Sequence, residues 1–298
     1  MNTLMNISYN PVPTSDALFS IIIPTWNNLE YLKICVESIR KNSAHKHQIV
    51  LHINEGLDGT LEWARQNNLA FTHSSENIGI CFGCNAAYSL CTSDYILYLN
   101  DDMYVCPDWD VALADEIKKS NSIYFYFSST MIEWKDTGNP AVLAPYDFGS
   151  TPDTFREEEL ILKTKELSKL KKDWSGSMWP PSIMHRKMWD LIGGFSIEFS
   201  PGLYSDPDIC KKLWDAGCRN FKGIGSSLVY HFMSKSTGKI SYINPGKNQF
   251  MKKWGIRAKF FKKHYLKMGE DYSGLLTEPK PELMKKENRI VALKKLFS

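Results

Sequence analysis

Asn100-Asp101-Asp102 puts an amide and two adjacent carboxylates directly behind the short apolar run Tyr95 to Leu99. Two neighbouring carboxylates repel unless a cation sits between them and an anionic ligand, so the pair reads as a divalent-metal site for phosphates. The plainer alternative is that Asp101 and Asp102 start a turn and cap a helix beginning near Asp108. A second acidic group, Asp206 and Asp208, follows the turn Gly193-Gly194-Phe195 and opens an amphipathic segment with Leu213 and Trp214 turned inward. Exposed amides at a helix start stabilise carboxylates there, so capping is the reading of the residues themselves, above all for Asp208. His231, behind a late apolar run, reads as a structural residue or a ligand.

The segments that must position these groups alternate. Leu18–Ile23, Gln48–Ile53, Leu69–His73 and Tyr95–Leu99 have the composition of buried strands. Between them, Leu29–Lys41, a segment through Ala64 and Arg65, and Ile78–Leu90 have helical spacing. Strict alternation predicts a mainly parallel, doubly wound α/β sheet with helices on both faces. The polar turns Thr25–Asn28, Asn54–Asp58, Ser74–Asn77 and Asn100–Asp102 all follow strand C-termini and should line one edge, where open parallel sheets bind ligands. Neither glycine-rich phosphate loop is present, so phosphates must be held another way.

Later segments are less regular. A helix is expected over Asp108–Lys119, a strand over Ser122–Phe127, a long loop over 130–152 and a charged helix over Asp153–Lys172. Trp174 and Trp179 flank small residues, which suits either a platform for an acceptor sugar or core packing. Arg219–Ile224 and Ser227–Tyr230 read as strands, and the polar SKSTGK after Met233 as a lid. The resulting division is a lead-in over 1–17, a nucleotide-binding half over 18–122, an acceptor half over 123–235 and a basic helical tail over 236–298.

Four stretches in order, FSIIIPTWNNLEYLKICVESI, INEGLDGTLEW, ENIGICFGCNAA and DYILYLNDDMYVCPDWD, resemble the nucleotide-sugar-binding half of a family 2 glycosyltransferase with a GT-A fold. The resemblance implies that Pro24, Thr25 and Trp26 lie against the nucleoside base, with Asn27 and Asn77 on the same edge, and that Asn54 or Glu55 contacts base or ribose. It implies that Asp101 faces the ribose beside Asn100, and that Asp102 ligates a metal, Mn²⁺ or Mg²⁺, which His231 completes. The later GGF-and-acidic-helix block resembles the family's second signature and implies Asp206 as the general base of an inverting reaction; Asp208, Trp174 and Trp179 are separate candidates for the acceptor side. A nucleoside-diphosphate sugar donor and a glycan or glycolipid acceptor, in surface polysaccharide assembly, follow from the same resemblance. Three positions depart from it: Ile53 and Ser205 replace acids, and Asn100 replaces the first Asp of the metal motif. A nucleotidyltransferase, or a binding protein that keeps the fold without catalysis, are the rival readings.

Composition is that of a globular protein, with 43% hydrophobic and 23% charged residues in 298. No run is apolar enough to span a membrane, which makes the cytoplasm the expected location, and the seven cysteines are expected as free thiols. The net charge of +3 is lopsided: from Lys235 onward 16 Lys and Arg face 5 Asp and Glu, so +11 there against −8 for the remainder. Such a basic tail could rest on an anionic membrane surface or serve only solubility. A role in binding nucleic acid is disfavoured, because the cleft turns suit a small nucleotide.

Overall fold

The computed structural model describes residues 6–234 and 245–295. One ten-stranded sheet runs through it. The strands are β1 (Ile7–Asn10), β2 (Phe19–Trp26), β3 (Gln48–Asn54), β4 (Ala70–Ser74), β5 (Tyr95–Tyr98), β6 (Met103–Val105), β7 (Phe125–Glu133), β8 (Trp174–Ser175), β9 (Ser182–His185) and β10 (Asn220–His231). The helices are α1 (Leu29–Asn42), α2 (Thr60–Gln66), α3 (Gly79–Tyr88), α4 (Trp109–Ser120), α5 (Glu157–Leu167), α6 (Arg186–Ile192), α7 (Ser205–Asp215), α8 (Gly246–Trp254), the short α9 (Ala258–Phe260) and α10 (Pro281–Lys295). In the sheet the order is β1-β4-β3-β2-β5-β9-β7-β10-β6, with β8 beside β10.

Strands β4, β3, β2 and β5 are parallel, as alternation predicts, and so are β7 and β10. The side chains of β2 and β5 divide between two cores. Ile22, Ile96 and Tyr98 face α3, α6 and α7, whereas Phe19, Ile21, Ile23, Leu97 and Leu99 face α1 and α4. That is the period of two expected of a strand covered on both faces. Helix α1 buries Leu32, Cys35, Val36 and Ile39, the stripe its sequence spacing predicts.

Several expectations need correction. The lead-in is not loose throughout, because Ile7–Asn10 pairs antiparallel with β4 as an edge strand. Antiparallel β9 sits in the middle of the sheet between β5 and β7. Strand β7 runs to Glu133, into what reads as a loop, and all nine of its residues are buried. The charged helix is shorter than expected, a 3-10 turn at Pro152–Thr154 followed by α5. The two late strands are one, β10, with a register shift between Ile224 and Leu228. The lid segment after Ser234 lies outside the described residues.

The C-terminal segment is no free tail. Gly255, with φ of 67°, ends α8, and Phe250, Ile256, Phe260, Phe261, Tyr265 and Leu266 enter the same core as α7. All seven cysteines are buried and unpaired. Among the described residues no helix is long and apolar enough to cross a membrane.

The first turn of α3 meets the segment before α7. Ile80 N–H donates to the Pro201 carbonyl at 2.9 Å, and Ser200 Oγ–H donates to the Ile78 carbonyl at 2.7 Å. Gly79, with φ of +77°, permits this approach, since a Cβ there would lie 2.6 Å from Pro201 Cα. Gly79→Ala should therefore destabilise the protein by about 1–3 kcal/mol, from backbone strain and the forced separation of the two segments. Denaturant unfolding measures it, and a loss within 0.5 kcal/mol, roughly the range of neutral surface changes, would refute the contact's importance.

Candidate active site

The ends of β2, β3 and β5, the α3 start and the segment 201–206 enclose a cleft of about 520 Å³. It brings together most residues the sequence points to: Pro24, Thr25 and Trp26 from β2, Asn54 from β3, Asn77 before α3, and Asn100, Asp101 and Asp102 after β5. Asp206, Trp179 and His231 line the same cleft from the later half of the chain.

Sheet register places His231. Its two cross-strand neighbours are Met103 on β6 and Glu133 on β7. The first delivers Asp102, one residue back along the chain, so that His231 Nε2 lies 3.5 Å from Asp102 Oδ2. The second puts Glu133 Oε1 3.0 Å from Nδ1. Burial disfavours a charged imidazole, but Asp102 and Glu133 outweigh it and raise the His231 pKa to about 10. Burial also works against an ionised Asp102, and His231 more than reverses that, so the Asp102 pKa is lowered. Ser234 N–H donates to the same Asp102 oxygen at 2.7 Å.

Asp101 behaves differently. Burial, then the charge of Asp102, raises its pKa to about 7 despite the opposing side chains of Thr25 and Asn28. Asp206, at the start of α7, is likewise raised to about 7 by burial, with Lys262 drawing it back. A carboxyl group titrating near neutrality inside a cleft is suited to taking up and releasing a proton.

A divalent cation between Asp102 and His231 would have to displace the proton that the two carboxylates hold on the imidazole, since a metal binds only the neutral ring. Asp102 and His231 converge, Glu133 orients the imidazole through its other nitrogen, and Glu133 Oε2 is buried without a partner. Among the described residues no three His, Cys, Asp or Glu side chains group as ligands, so the remaining positions would fall to substrate oxygens or water. Trp26 Nε1 is also buried without a partner at the cleft.

Other expected residues take structural roles or stand aside. Asn54 Oδ1 accepts from Ile78 N–H at 2.9 Å and Asn77 Oδ1 from Gly79 N–H at 2.9 Å, so both shape the α3 start while lining the cleft. Asn27 Nδ2 donates to Glu55 Oε2 at 2.8 Å, and neither residue lines the cleft. Trp174 is not an acceptor platform. It is 3% exposed, packs over Gly223 and donates its indole N–H to Thr130 Oγ1 at 2.9 Å. Asp208 does not line the cleft either, being 1% exposed and held by Trp254 Nε1 at 2.8 Å and Lys253 Nζ at 2.9 Å. Cys81, Cys84 and Cys91 are buried thiols.

Sequence reasoning missed Glu133, Tyr204 and Lys262. Glu133 lay in an apparent loop, and its signal was the apolar run Met131-Ile132 continuing the strand. Lys262 lay among lysines that read as surface charge.

Residues 20–191, more than half of the chain, match the sequence profile described as glycosyl transferase family 2. No curated protein matches the sequence. Among solved structures, GalNAc-T7 with UDP, GalNAc and Mn²⁺ is similar with a TM-score of 0.53 and 16% identity, over 74% of this chain and 44% of that one. TarS 1-349 from S. aureus has a TM-score of 0.49 and 16% identity, over 72% of this chain and 60% of TarS. The chain thus spans less than two thirds of the length of each of these structures. With the profile match covering the first signature, the parallel sheet and the cleft residues behind it, the chain belongs to glycosyl transferase family 2.

Proposed function

We propose that this protein is a metal-dependent, inverting glycosyltransferase that moves a sugar from a nucleoside-diphosphate donor to a hydroxyl of a glycan or glycolipid. The observation that carries the reading is the placement of Asp206 in one cleft with Asp101, Asp102 and His231. Trp26 offers an apolar face for the base and an indole N–H in need of an acceptor. Asp102 and His231 would hold a divalent cation, which neutralises the leaving diphosphate when bound.

Asp206 takes the proton from the acceptor hydroxyl as its oxygen bonds to the anomeric carbon. The bond from that carbon to the diphosphate oxygen breaks, and the electron pair leaves with the diphosphate. Attack from the face opposite the leaving group inverts configuration in one displacement. Trp179, at the cleft wall, remains the candidate surface for the acceptor ring. Family membership and the proton acceptor set this reading above a nucleotidyltransferase. A UDP donor with Mn²⁺, the ligands named for GalNAc-T7, is the first combination to try.

Asp206→Asn should lower kcat by about 10²–10⁴-fold, the usual share of general-base catalysis, with the Kd for UDP and Mn²⁺ held within about twofold. The wild-type rate should rise with pH up to about 7, because only the ionised carboxylate accepts a proton, and then level off. Unchanged turnover in the variant would remove Asp206 as the base, and wild-type protein that binds UDP and Mn²⁺ without turnover would leave a binding protein as the better description. Glu133→Gln should weaken Mn²⁺ binding in the UDP complex by about 10–100-fold, through loss of the charge that orients His231. Electron paramagnetic resonance titration of free Mn²⁺ reads this directly, and equal binding would remove Glu133 from the site.

A further inference from the structure

A second cavity, of about 400 Å³, adjoins the cleft. Trp179 and Tyr204 line both, so the two spaces share a wall, and Asp206 lies two residues beyond Tyr204. The second cavity is also lined by Lys259, Lys262 and Lys263 from the C-terminal segment, with Glu270 as its acid. Among the described residues no carboxylate pairs with any of these three lysines. Two lysines nearby differ, Lys253 being paired with Glu198 and Asp208, and Lys211 with Asp215. Lys262 Nζ sits 5.1 Å from the centre of the Trp179 ring. Its own pKa is lowered by burial, which Asp206 partly opposes, so Lys262 lies within electrostatic reach of the base.

Three ammonium groups against one carboxylate, in a concave site next to an indole, have uncompensated positive charge. Packing anchors this stretch, since Phe260 and Phe261, between Lys259 and Lys262, are buried in the core. The space is large enough for a hexose with a charged substituent, and pockets of a few hundred Å³ commonly take ligands of that size. Lysine ammoniums recognise phosphate as point charges, tolerant of its orientation.

We propose that the second cavity is an acceptor subsite for a phosphate ester, and that the acceptor is a phosphate-bearing glycan whose sugar ring lies along Trp179 with its phosphate among Lys259, Lys262 and Lys263. This rests on the glycosyltransferase reading and deepens it by assigning a chemical class to the acceptor. A neutral glycan would leave the lysines unanswered, whereas a phosphate one residue from the reacting hydroxyl would anchor the acceptor without touching Asp206.

Calorimetric titration of the full chain, saturated with UDP and Mn²⁺ to fill the donor site, tests it. Glucose 1-phosphate, glucose 6-phosphate, glucose and inorganic phosphate are the probes. At least one sugar phosphate should bind about tenfold more tightly than both glucose and inorganic phosphate, and the Lys259→Gln/Lys262→Gln/Lys263→Gln variant should lose that advantage. The Kd of the variant for UDP and Mn²⁺ reports whether the donor side and the fold are intact. If that control fails, Lys259→Gln alone, at an exposed position, supplies the comparison and should weaken the sugar phosphate severalfold. Equal binding of glucose and its phosphates, undiminished binding by the lysine variants, or inorganic phosphate binding as tightly as the esters would each overturn the subsite. Sedimentation with phosphatidylglycerol vesicles, lost in the triple variant while no sugar phosphate is preferred, would assign the lysines to a membrane surface instead. Should wild-type protein bind none of UDP, GDP, CDP and ADP with Mn²⁺, the donor reading falls and the subsite with it; nucleotide binding without phosphate preference removes the subsite alone.

Discussion

The site depends on a register. Strand β10 lies between β6 and β7, and the pairing that sets Met103 and Glu133 opposite His231 decides which acids face that imidazole. A slip of one residue would turn His231 to the other face of the sheet and leave Asp102 and Glu133 as buried, uncompensated negative charges. Burial of Met103, Val105, Val229 and Tyr230 on the paired strands holds the register. Hydrophobic packing thus determines the electrostatics, since apolar alternation along three strands fixes where two carboxylates and one imidazole meet.

The cleft also separates its carboxyl groups by environment. Asp102 is held ionised by His231, whereas Asp101 and Asp206 are shifted toward neutral pH by burial. Groups whose surroundings push their pKa values apart can divide labour between holding a cation and exchanging a proton. Ser205 bears on this division. An acid there would place a second negative charge beside Asp206, while the serine donates its hydroxyl hydrogen to the Gly202 carbonyl at 2.6 Å and stabilises the turn into α7.

Much of this was legible in the chain. The apolar runs ending in polar turns specified the parallel strands and the edge where ligands collect, and Pro24, Trp26, Asp101, Asp102, Asp206 and His231 do line one cleft. Local pattern could not reveal pairings between distant segments. Strand β6 is three residues long and directly follows the polar turn Asn100–Asp102, too short for its period to set it apart from the loop it closes. Trp174 and Asp208 have the sequence context of ligand-binding residues, yet each is satisfied by a partner far along the chain, Thr130 and Trp254 respectively. The basic helices read as a solvated tail because periodicity shows which side is apolar and says nothing about what covers it.

The profile match stops at residue 191, but β10, α7 and the segment that clamps Asp208 all lie beyond it. A protein cut at that boundary would keep the donor-side turns and lose His231 and Asp206. It would also strip β7 of its longest neighbour, baring the edge of a nine-residue, wholly buried strand with unmet amide and carbonyl groups. Such an edge invites sheet-to-sheet stacking, so the shortened chain is more apt to precipitate than to report on nucleotide affinity. The smallest workable unit runs at least to the helix bearing Trp254, whose indole fastens the α7 start from outside the matched region.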